Sequence, residues 1–392
     1  MLSILHSADW QIGKPFARVQ DPDKRAKLRQ TRIDCIERIG ARGQEQAASL
    51  LLVAGDLFDS PTPSSSDVSA VCQAIGRLQI PVLVIPGNHD HGAPGSVWHQ
   101  AFFQAEQQRR APNLQVLLER RPVVLDEAIV LPCPLLRRHE SDDPTAWIRD
   151  LDWSLLPGDR PRILLAHGSV QGFGADDLDA DEENPASDRN RLRLDPGLVD
   201  VVDYVALGDW HGMKQVNSKS WYSGTPEPDR FPRNADYRGA QVLAVRVSRG
   251  GLPAVSPVDT GSLHWIQQRV EFREDEDLQR LERNLKDQLG DEPGQHLLLL
   301  EESGSLSFEA HRRYEALIER LEAQLLRLKR RGRCGLTPDA AELDQLTGRA
   351  DDPLITSVAR RLQVDLESTE TTDPQRALLQ QALAELHRCV GL

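Results

Sequence analysis

The chain has 392 residues, of which 39% are hydrophobic and 27% charged, and its formal net charge at pH 7 is −13. That length is enough for roughly two domains with a sizeable core, and the composition is typical of a globular protein. No apolar stretch approaches the ~20 residues of a membrane span, and phosphate contacts need Lys and Arg. We therefore expect no membrane partner and no surface coated with nucleic-acid-binding residues, although the excess acid includes metal-binding carboxylates.

The N-terminal part of the chain alternates between apolar runs and helical patterns. Residues 2–5, 50–54 and 82–85 are predicted strands, and helical stripes at 28–39 and 66–78 separate them. This βαβαβ order, with continuous apolar strands, predicts an α/β fold whose sheet is covered on both faces. Later strands are predicted at 128–131, 162–166, 204–207 and 241–247.

Polar side chains follow five of these apolar runs. They are Asp9, Asp56, Asn88, His167 and His211, the last in the segment Gly208-Asp209-Trp210-His211. Parallel strands bring such ends to one edge of a sheet, and carboxylate, amide and imidazole groups suit hard divalent ions. A single Gly-Asp or Asn-His pair would indicate only a turn, and His167 alone could be a satisfied strand-end histidine. Together the clusters predict a metal site.

The residue types suggest a role for each ligand. Asp56, from the middle of the site, can bridge two ions with its two oxygens. Asp9 and His211 would complete one ion, and Asn88 and His167 the other. Two ions about 3.5–4 Å apart activate water and stabilise charge on an attacked phosphorus. The pattern therefore predicts a two-metal phosphoesterase centre.

A separate group of residues is predicted to handle the proton of the leaving group. His89 is adjacent to Asn88 and is not needed as a ligand, so it is free to contact the scissile phosphate and protonate the leaving oxygen. Asp59 or Asp90 would orient it, and the sequence does not distinguish between them.

Beyond the predicted sheet the pattern changes. The Gly/Pro-rich stretch 250–261 is interpreted as a boundary. A strand at 265–272, a helix from Leu278 to Leu289, a strand at 296–300 and a helix from Tyr314 to Leu328 then predict a small β-α-β-α unit. Two shorter helical patterns follow. We expect three parts, 1–260, 261–335 and 336–392.

Two charged runs are interpreted as solvated surface. Asp176 to Glu183 is predicted to be an acidic loop. The basic run is assigned to a solvated helix face with its last turn basic, and phosphate contact is the alternative. Its members are Arg312, Arg313, Arg320, Arg327, Lys329, Arg330, Arg331 and Arg333.

The five cysteines lie far apart with no paired spacing. They are Cys35, Cys72, Cys133, Cys334 and Cys389. We predict free thiols that are buried as small apolar side chains in a reducing cytoplasm. The first residues are too short an apolar run for a secretory signal, which also favours a cytoplasmic location.

The motifs resemble those of a known superfamily. The segments Asp9-Trp10-Gln11, Gly55-Asp56-Leu57-Phe58-Asp59, Gly87-Asn88-His89-Asp90, His167-Gly168 and Gly208-Asp209-Trp210-His211 are similar to those of calcineurin-like metallophosphoesterases. Within that superfamily, His6–Trp10 with Gly13-Lys14, Phe58–Pro63 and Tyr222–Pro226 resemble the nuclease subunit family of the bacterial SbcCD DNA repair complex. The match spans about residues 1 to 235.

The resemblance implies a fold and a function. The fold would be a four-layer sandwich of mixed sheets flanked by helices, with a small α+β cap that resembles a DNA-capping domain and a helical C-terminal tail. The activity would be metal-dependent exonuclease or endonuclease cleavage of single- or double-stranded DNA ends in repair. An SMC-like ATPase docking on 336–392 and a homodimer are the implied partners. The alternatives are a catalytically weakened DNA- and partner-binding scaffold, and a phosphodiesterase or phosphatase for small substrates.

Two residues depart from the family pattern. Gln11 stands where the family has His, and Asp209 stands where the family has the first His of Gly-His-x-His. Both are metal-ligand candidates, and both make the site harder, which favours Mn²⁺, or Mg²⁺, over Zn²⁺. They could also weaken one of the two ion sites or mark an enzyme with altered or lost activity.

Overall fold

The computed structural model describes residues 1–170, 190–231, 237–368 and 372–390. The predicted acidic loop from Asp176 to Glu183 lies outside these residues. The chain divides into two compact units, Met1–Leu263 and His264–Leu392. In the described part of the chain, no helix combines the length and the apolar character needed to cross a bilayer.

The first unit is built around two six-stranded mixed sheets and a small separate sheet. Its strands are β1 (Leu2–Ser7), β2 (Leu50–Ala54), β3 (Val82–Ile85), β4 (Leu114–Val116), β5 (Val123–Val124), β6 (Ile129–Cys133), β7 (Arg162–His167), β8 (Ser169–Val170), β9 (Arg191–Leu192), β10 (Tyr204–Gly208), β11 (Lys214–Gln215), β12 (Ser220–Tyr222), β13 (Gln241–Val247) and β14 (Ala254–Asp259). Its helices are α1 (Pro22–Glu45), α2 (Ser65–Gly76), α3 (Ala101–Arg110) and α4 (Pro196–Val201). One large sheet has the order β14-β13-β1-β2-β3-β4, the other has the order β11-β12-β10-β7-β6-β5, and strands β8 and β9 form the small sheet.

The central strands are apolar throughout because both of their faces are buried. In β2, Leu51 and Val53 pack in a core shared with α1 and α2. Leu50, Leu52 and Ala54 point the other way, into a core shared with strands of the second sheet. Period-two alternation thus sends successive side chains into two different cores. The prediction of mixed sheets flanked by helices in a four-layer α/β sandwich is confirmed.

The stretch 250–261, which is interpreted from the sequence as a boundary, contains a strand as well as a turn. Gly250, with a φ of +75°, and Gly251 form a turn, and β14 then pairs antiparallel with β13. Pro257 is tolerated because β14 is an edge strand, where one side needs no ladder hydrogen bond. The Gly/Pro content therefore marks a hairpin, and the first compact unit runs on to Leu263.

The second unit is a parallel sheet with helices. Its strands are β15 (His264–Phe272), β16 (His296–Leu306), β17 (Arg327–Gly332) and β18 (Gly335–Leu336), and its helices are α5 (Glu276–Leu289), α6 (Phe308–Gln324), α7 (Ala340–Thr347), α8 (Pro353–Glu367) and α9 (Asp373–Cys389). Strands β15, β16 and β17 pair in that order, all parallel. Apolar stripes of α5 and α6 share one core with Leu298 and Leu300 of β16.

The predicted helix from Tyr314 to Leu328 with a basic last turn is wrong at its C-terminal end. Helix α6 ends at Gln324, and residues Arg327–Gly332 form β17 beside β16. The spacing of Leu321, Leu325 and Leu328 fits a helix. Residues Arg327–Gly332 nevertheless form a strand because their backbone pairs with β16. No local sequence pattern indicates this pairing. Arg330 consequently bonds the buried carboxylate of Glu302, at 2.8 Å, from a strand and not from a helix face.

The cysteines are free, as predicted, and four of them are buried. Cys389 is exposed, so the prediction of burial is wrong there. It is the last residue of α9, where the helix ends and no further element of the described chain packs over it.

Candidate metal centre

The predicted ligands meet at the carboxyl ends of parallel strands from both sheets. Loops after β1, β2 and β3 carry ligands from one sheet, and the ends of β7 and β10 carry ligands from the other. The residues brought together in this way are Asp9, Gln11, Asp56, Asn88, His167, Asp209 and His211, and the hydrogen bonds and short contacts described below link them. The first unit alone supplies the whole centre.

Four of these residues have backbone conformations that residues other than glycine rarely adopt. The φ angle is +55° at Asp9, +44° at Gln11, +53° at Asp56 and +102° at Asp209. Hydrogen bonds from Asp9 N to Gly55 O (3.1 Å) and from Gln11 N to Asp56 O (2.9 Å) tie the two loops together. Left-handed backbone costs roughly 1–3 kcal/mol per residue and persists where surrounding contacts over-determine it, often at functional sites.

Asp9, Asp56 and His167 form the centre of the cluster. Each offers a ligand atom, and these atoms lie within 4.8 Å of one another in a fully buried setting. The Nδ1–H of His167 donates to Ala54 O at 2.7 Å, which leaves Nε2 for the cluster. That Nε2 lies 3.2 Å from Asn88 Oδ1, and 3.7 Å from both Asp56 Oδ2 and Asp209 Oδ1.

The pKa shifts of Asp9 and His167 reflect the number of carboxylates buried in the cluster. Burial raises the pKa of Asp9 well above its ordinary value, and the charges of Asp56 and Asp209 act in the same direction. Burial alone would lower the pKa of His167, but the neighbouring carboxylates raise it to about 9. Buried like charges at this separation are costly unless a cation or a proton compensates them. The oxygen and imidazole donors therefore fit a divalent cation.

His211 is held by a carboxylate that the sequence analysis missed. Its Nδ1 lies 3.2 Å from Asp229 Oδ1, and its Nε2 lies 3.3 Å from Gln11 Nε2 and 4.0 Å from Asp9 Oδ1. Burial, helped by Arg230, lowers the pKa of His211 to about 4, so the ring is neutral. Burial acts to raise the pKa of Asp229, but Arg230 and Lys14 hold it well below its ordinary value.

Lys14 and Arg230 neutralise Asp229 from two directions. Lys14 Nζ lies 2.9 Å and Arg230 Nη2 lies 2.8 Å from Asp229 Oδ2. The only sequence signal for Asp229 was its place just after the motif at Tyr222–Pro226, and Lys14 entered only through the family resemblance. Neither signal predicts that the two meet, because they stand near opposite ends of the first unit's sequence.

His89 lies at the edge of the cluster beside Asp59, one of the two residues that the sequence analysis considered as its partner. Its Nδ1 is 3.1 Å from the backbone oxygen of Asp59 and 3.9 Å from its Oδ1, while Nε2 is 4.0 Å from Asp56 Oδ2. Burial raises the pKa of Asp59. The side chain of His89 is 27% exposed, which leaves it accessible to a substrate.

Asp90 is placed elsewhere. Its carboxylate accepts hydrogen bonds from Gly87 N at 2.7 Å and from Phe58 N at 3.0 Å, so it ties the loops after β2 and β3 to each other. Burial raises the pKa of Asp90 to about 7. The structure thus gives Asp59, and not Asp90, the position against the ring of His89.

Arg32 is another residue with a role that the sequence pattern did not show. It lies on the helical stripe of α1, yet its buried guanidinium donates to Trp10 O and Glu227 O, each at 2.8 Å, and to Asp9 O at 3.3 Å. It therefore fixes the carbonyl groups of Asp9, the first ligand, and of the residue that follows it.

A family model matches this chain, and solved structures are similar to it. The family model, described as calcineurin-like phosphoesterase, matches residues 2–238, the part that carries the whole cluster. A crystal structure of TT1561 of Thermus thermophilus is similar at 12% identity and a TM-score of 0.39, over 66% of this chain and 99% of that chain. A second crystal structure is similar at 13% identity and a TM-score of 0.39, over 65% of this chain and 98% of that chain.

Proposed function

Since this chain belongs to the calcineurin-like phosphoesterase family, we propose that it is a metal-dependent nuclease that hydrolyses phosphodiester bonds in DNA. The observation that carries the chemistry is the buried cluster of Asp9, Asp56 and His167 with the partly exposed His89 beside it. The cluster collects cation ligands, and His89 offers an imidazole at its rim. Hydrolysis of a phosphodiester with a poor leaving group, such as DNA, is accelerated by both functions in one place.

The residues divide into a cation-binding set and a proton-transfer set. Two divalent cations would be held by Asp9, Asp56, Asn88, His167, Asp209 and His211. Bound there, they would supply an activated water and stabilise charge on the attacked phosphate. Asp56 is fixed for this role because its Oδ1 accepts a hydrogen bond from His89 N at 2.9 Å.

His89 acts as the general acid in this proposal. The Asp59 carbonyl accepts from Nδ1, so the ring is oriented with Nε2 toward the cluster. The Asp59 carboxylate lies 3.9 Å from the same nitrogen. Nε2–H then donates its proton to the leaving oxygen of the substrate, and the Nδ1–H bond keeps the ring in place during transfer.

DNA is the proposed substrate because of the motifs that resemble the SbcCD nuclease subunit family. Two of them have structural roles here: Trp10 Nε1 donates to Ser7 Oγ at 2.8 Å, and Thr225 Oγ1 donates to Asp9 O at 3.0 Å. They thus support the loop that carries Asp9. A second compact unit, His264–Leu392, also favours a macromolecular substrate over a small one.

An SMC-like ATPase remains the proposed partner. Support comes from exposed apolar side chains on the last two helices, where Leu354, Val364 and Leu378 are 73%, 63% and 68% exposed. Apolar residues on an otherwise polar helix surface suit a docking contact. A homodimer and a cytoplasmic location belong to the same proposal and rest on the sequence resemblance.

The proposal is tested by comparing substrates under one set of conditions. Mn²⁺-dependent cleavage of linear single- and double-stranded DNA is measured beside hydrolysis of a generic phosphodiester ester. We expect the wild type to cut DNA and both Asp56→Ala and His89→Ala to lose this activity, while His99→Ala, which changes an imidazole bonded to Gly92 O, retains it. Ester turnover without DNA cleavage would indicate a small-substrate enzyme. DNA binding without either reaction would indicate a scaffold.

The proposed metal is Mn²⁺, with Mg²⁺ as the alternative, because of Asp209. Its Oδ1 is 3.7 Å from His167 Nε2 and its Oδ2 accepts from Ser169 Oγ at 2.9 Å, so it brings an anionic oxygen into the cluster. Substituting Asp209→His should raise the affinity for Zn²⁺ relative to Mn²⁺ by about tenfold or more. Ser169→Ala is the control, since it removes the hydrogen bond and keeps the carboxylate. An unchanged ratio of affinities in Asp209→His would contradict the assignment.

A further inference from the structure

Gln11 lies between the ammonium group of Lys14 and the imidazole of His211, a predicted metal ligand. Lys14 Nζ is 3.1 Å from Gln11 Oε1, and Gln11 Nε2 is 3.3 Å from His211 Nε2. The ammonium of Lys14 can only donate, so the amide atom that faces it is the oxygen. The amide NH₂ therefore points at His211.

The two nitrogens of His211 have different hydrogen-bond roles. The Gln11 NH₂ group can only donate, so Nε2, which faces it at 3.3 Å, is the acceptor. Nδ1 then carries the proton and donates to Asp229 Oδ1, 3.2 Å away. Because Nε2 accepts from the Gln11 amide, its lone pair, which a cation would need, is engaged.

The surroundings of His167 are different. Its Nδ1–H is used by Ala54 O, and the atoms nearest to Nε2 are oxygens of Asn88, Asp56 and Asp209. Oxygen atoms, which are cation ligands, therefore converge at this half of the cluster. In the other half an amide donor, the Gln11 NH₂, faces the imidazole nitrogen.

We propose that the two cation positions of this chain are unequal, and that the position at Asp9 and His211 is the weaker because Gln11, fixed by Lys14, occupies the His211 nitrogen. The proposal rests on the proposed two-cation centre and adds its regulation. Activity then rises with free divalent cation over the range in which the weaker position fills. Lys14 acts as a positioning residue, since it touches Gln11 and Asp229 and sets the orientation of the amide.

Equilibrium titration of the metal-free full chain with Mn²⁺, with free Mn²⁺ read by electron paramagnetic resonance, tests this directly. The wild type should bind two ions with dissociation constants at least about fivefold apart. Gln11→Met keeps the side-chain volume and removes the competing hydrogen bond. It should tighten the weaker position about fivefold, the size of one ordinary hydrogen bond, and leave the tighter position unchanged.

A matched pair of variants separates the amide from simple charge. Lys14→Met and Arg230→Met each remove one positive charge from Asp229, and within the described residues it is Lys14 that also bonds Gln11 Oε1. The weaker position should tighten at least about twofold more in Lys14→Met than in Arg230→Met, a part of the effect of one hydrogen bond. Thermal unfolding of each variant shows that it is folded.

The possible outcomes are distinct. Loss of the second ion in Gln11→Met would overturn the inference, because Gln11 would then be a ligand. Two equal ions in the wild type, or equal effects of Lys14→Met and Arg230→Met, would also overturn it and leave the proposed function standing. A folded wild type that binds no Mn²⁺ would overturn the two-cation centre itself.

Discussion

Asp229 and His211 form a buried pair, with Asp229 Oδ1 3.2 Å from the Nδ1 of His211. Asp229 is fully buried and His211 is 5% exposed. A carboxylate on the outer nitrogen fixes the tautomer of a histidine and raises its strength as a ligand. The pair thus gives His211 one defined orientation toward Asp9.

We predict that Asp229→Asn weakens Mn²⁺ binding at the weaker position by about 10- to 100-fold, the usual cost of losing such a partner. An amide can donate to Nδ1 and so drive the proton to Nε2, where it would face the cation. The Mn²⁺ titration measures this change. Asp203→Asn is the control, because Asp203 is equally buried and pairs with Arg249, at 3.0 Å, beyond the opposite end of β10. Equal loss of Mn²⁺ affinity in the two variants would count against a specific role.

The general-acid role of His89 predicts a dependence on the leaving group. His89→Gln should lower kcat for DNA by about 10²- to 10⁴-fold, and much less for an ester whose leaving group is a good one, such as 4-nitrophenolate, which needs no proton. The affinity for Mn²⁺ should stay the same, since His89 contacts Asp56 mainly through its backbone N–H. Steady-state rates for both substrates measure this. An equal loss with both would indicate a structural role instead.

Gly87 is predicted to be essential for the placement of Asp56. A Cβ at position 87 would lie 2.6 Å from Asp56 N and closer still to its Oδ1. Gly87→Ala should therefore lower the free energy of unfolding by about 1–3 kcal/mol and reduce Mn²⁺ affinity as Asp56 shifts. Gly158→Ala is the matched control, because nothing in the described structure lies within 4 Å of its Cβ. Denaturant unfolding and the Mn²⁺ titration report the two effects separately.

Because His6 is buried, we predict that the folded protein loses stability in acid. His6 joins the two sheets: Nδ1 is 2.9 Å from the hydroxyl of Tyr204, and Nε2 is 3.1 Å from Leu207 O. Burial lowers the pKa of His6 from 6.5 to about 3. Between these values the unfolded chain takes up a proton that the folded chain refuses, so the free energy of unfolding falls as pH falls, by about 1.4 kcal/mol per pH unit.

The contribution of His6 is isolated by comparison with His6→Gln, which cannot titrate. Urea unfolding of both metal-free proteins is measured from neutral pH down toward the pKa of the folded protein. The wild type should lose stability relative to His6→Gln as the pH falls below 6.5, the ordinary pKa of histidine, and should show no such trend above it. Parallel curves for the two proteins would mean that His6 carries no linked proton.

Much of the fold could be predicted because its signals are local. The strands β1, β2, β3, β7 and β10 are short apolar runs between turn residues, and α1 and α5 carry a clear 3.6-residue stripe. The third strand of the second unit could not be predicted in this way. Leu325 and Leu328 continue the stripe of α6, and only pairing with β16 makes a strand of Arg327–Gly332.

The candidate metal centre likewise has features that the sequence could predict and features that depend on the tertiary structure. The sequence by itself determined which kinds of ligand accompany each strand, because Asp9, Asp56, Asn88 and His167 stand at or shortly after the ends of apolar runs that are visible in the chain. Only the tertiary structure decided which neighbours these groups have. Asp59 lies against His89, Asp229 against His211, and Gln11 turns its amide toward His211 because Lys14 holds the oxygen. Such contacts join residues far apart in sequence, and no local periodicity encodes them.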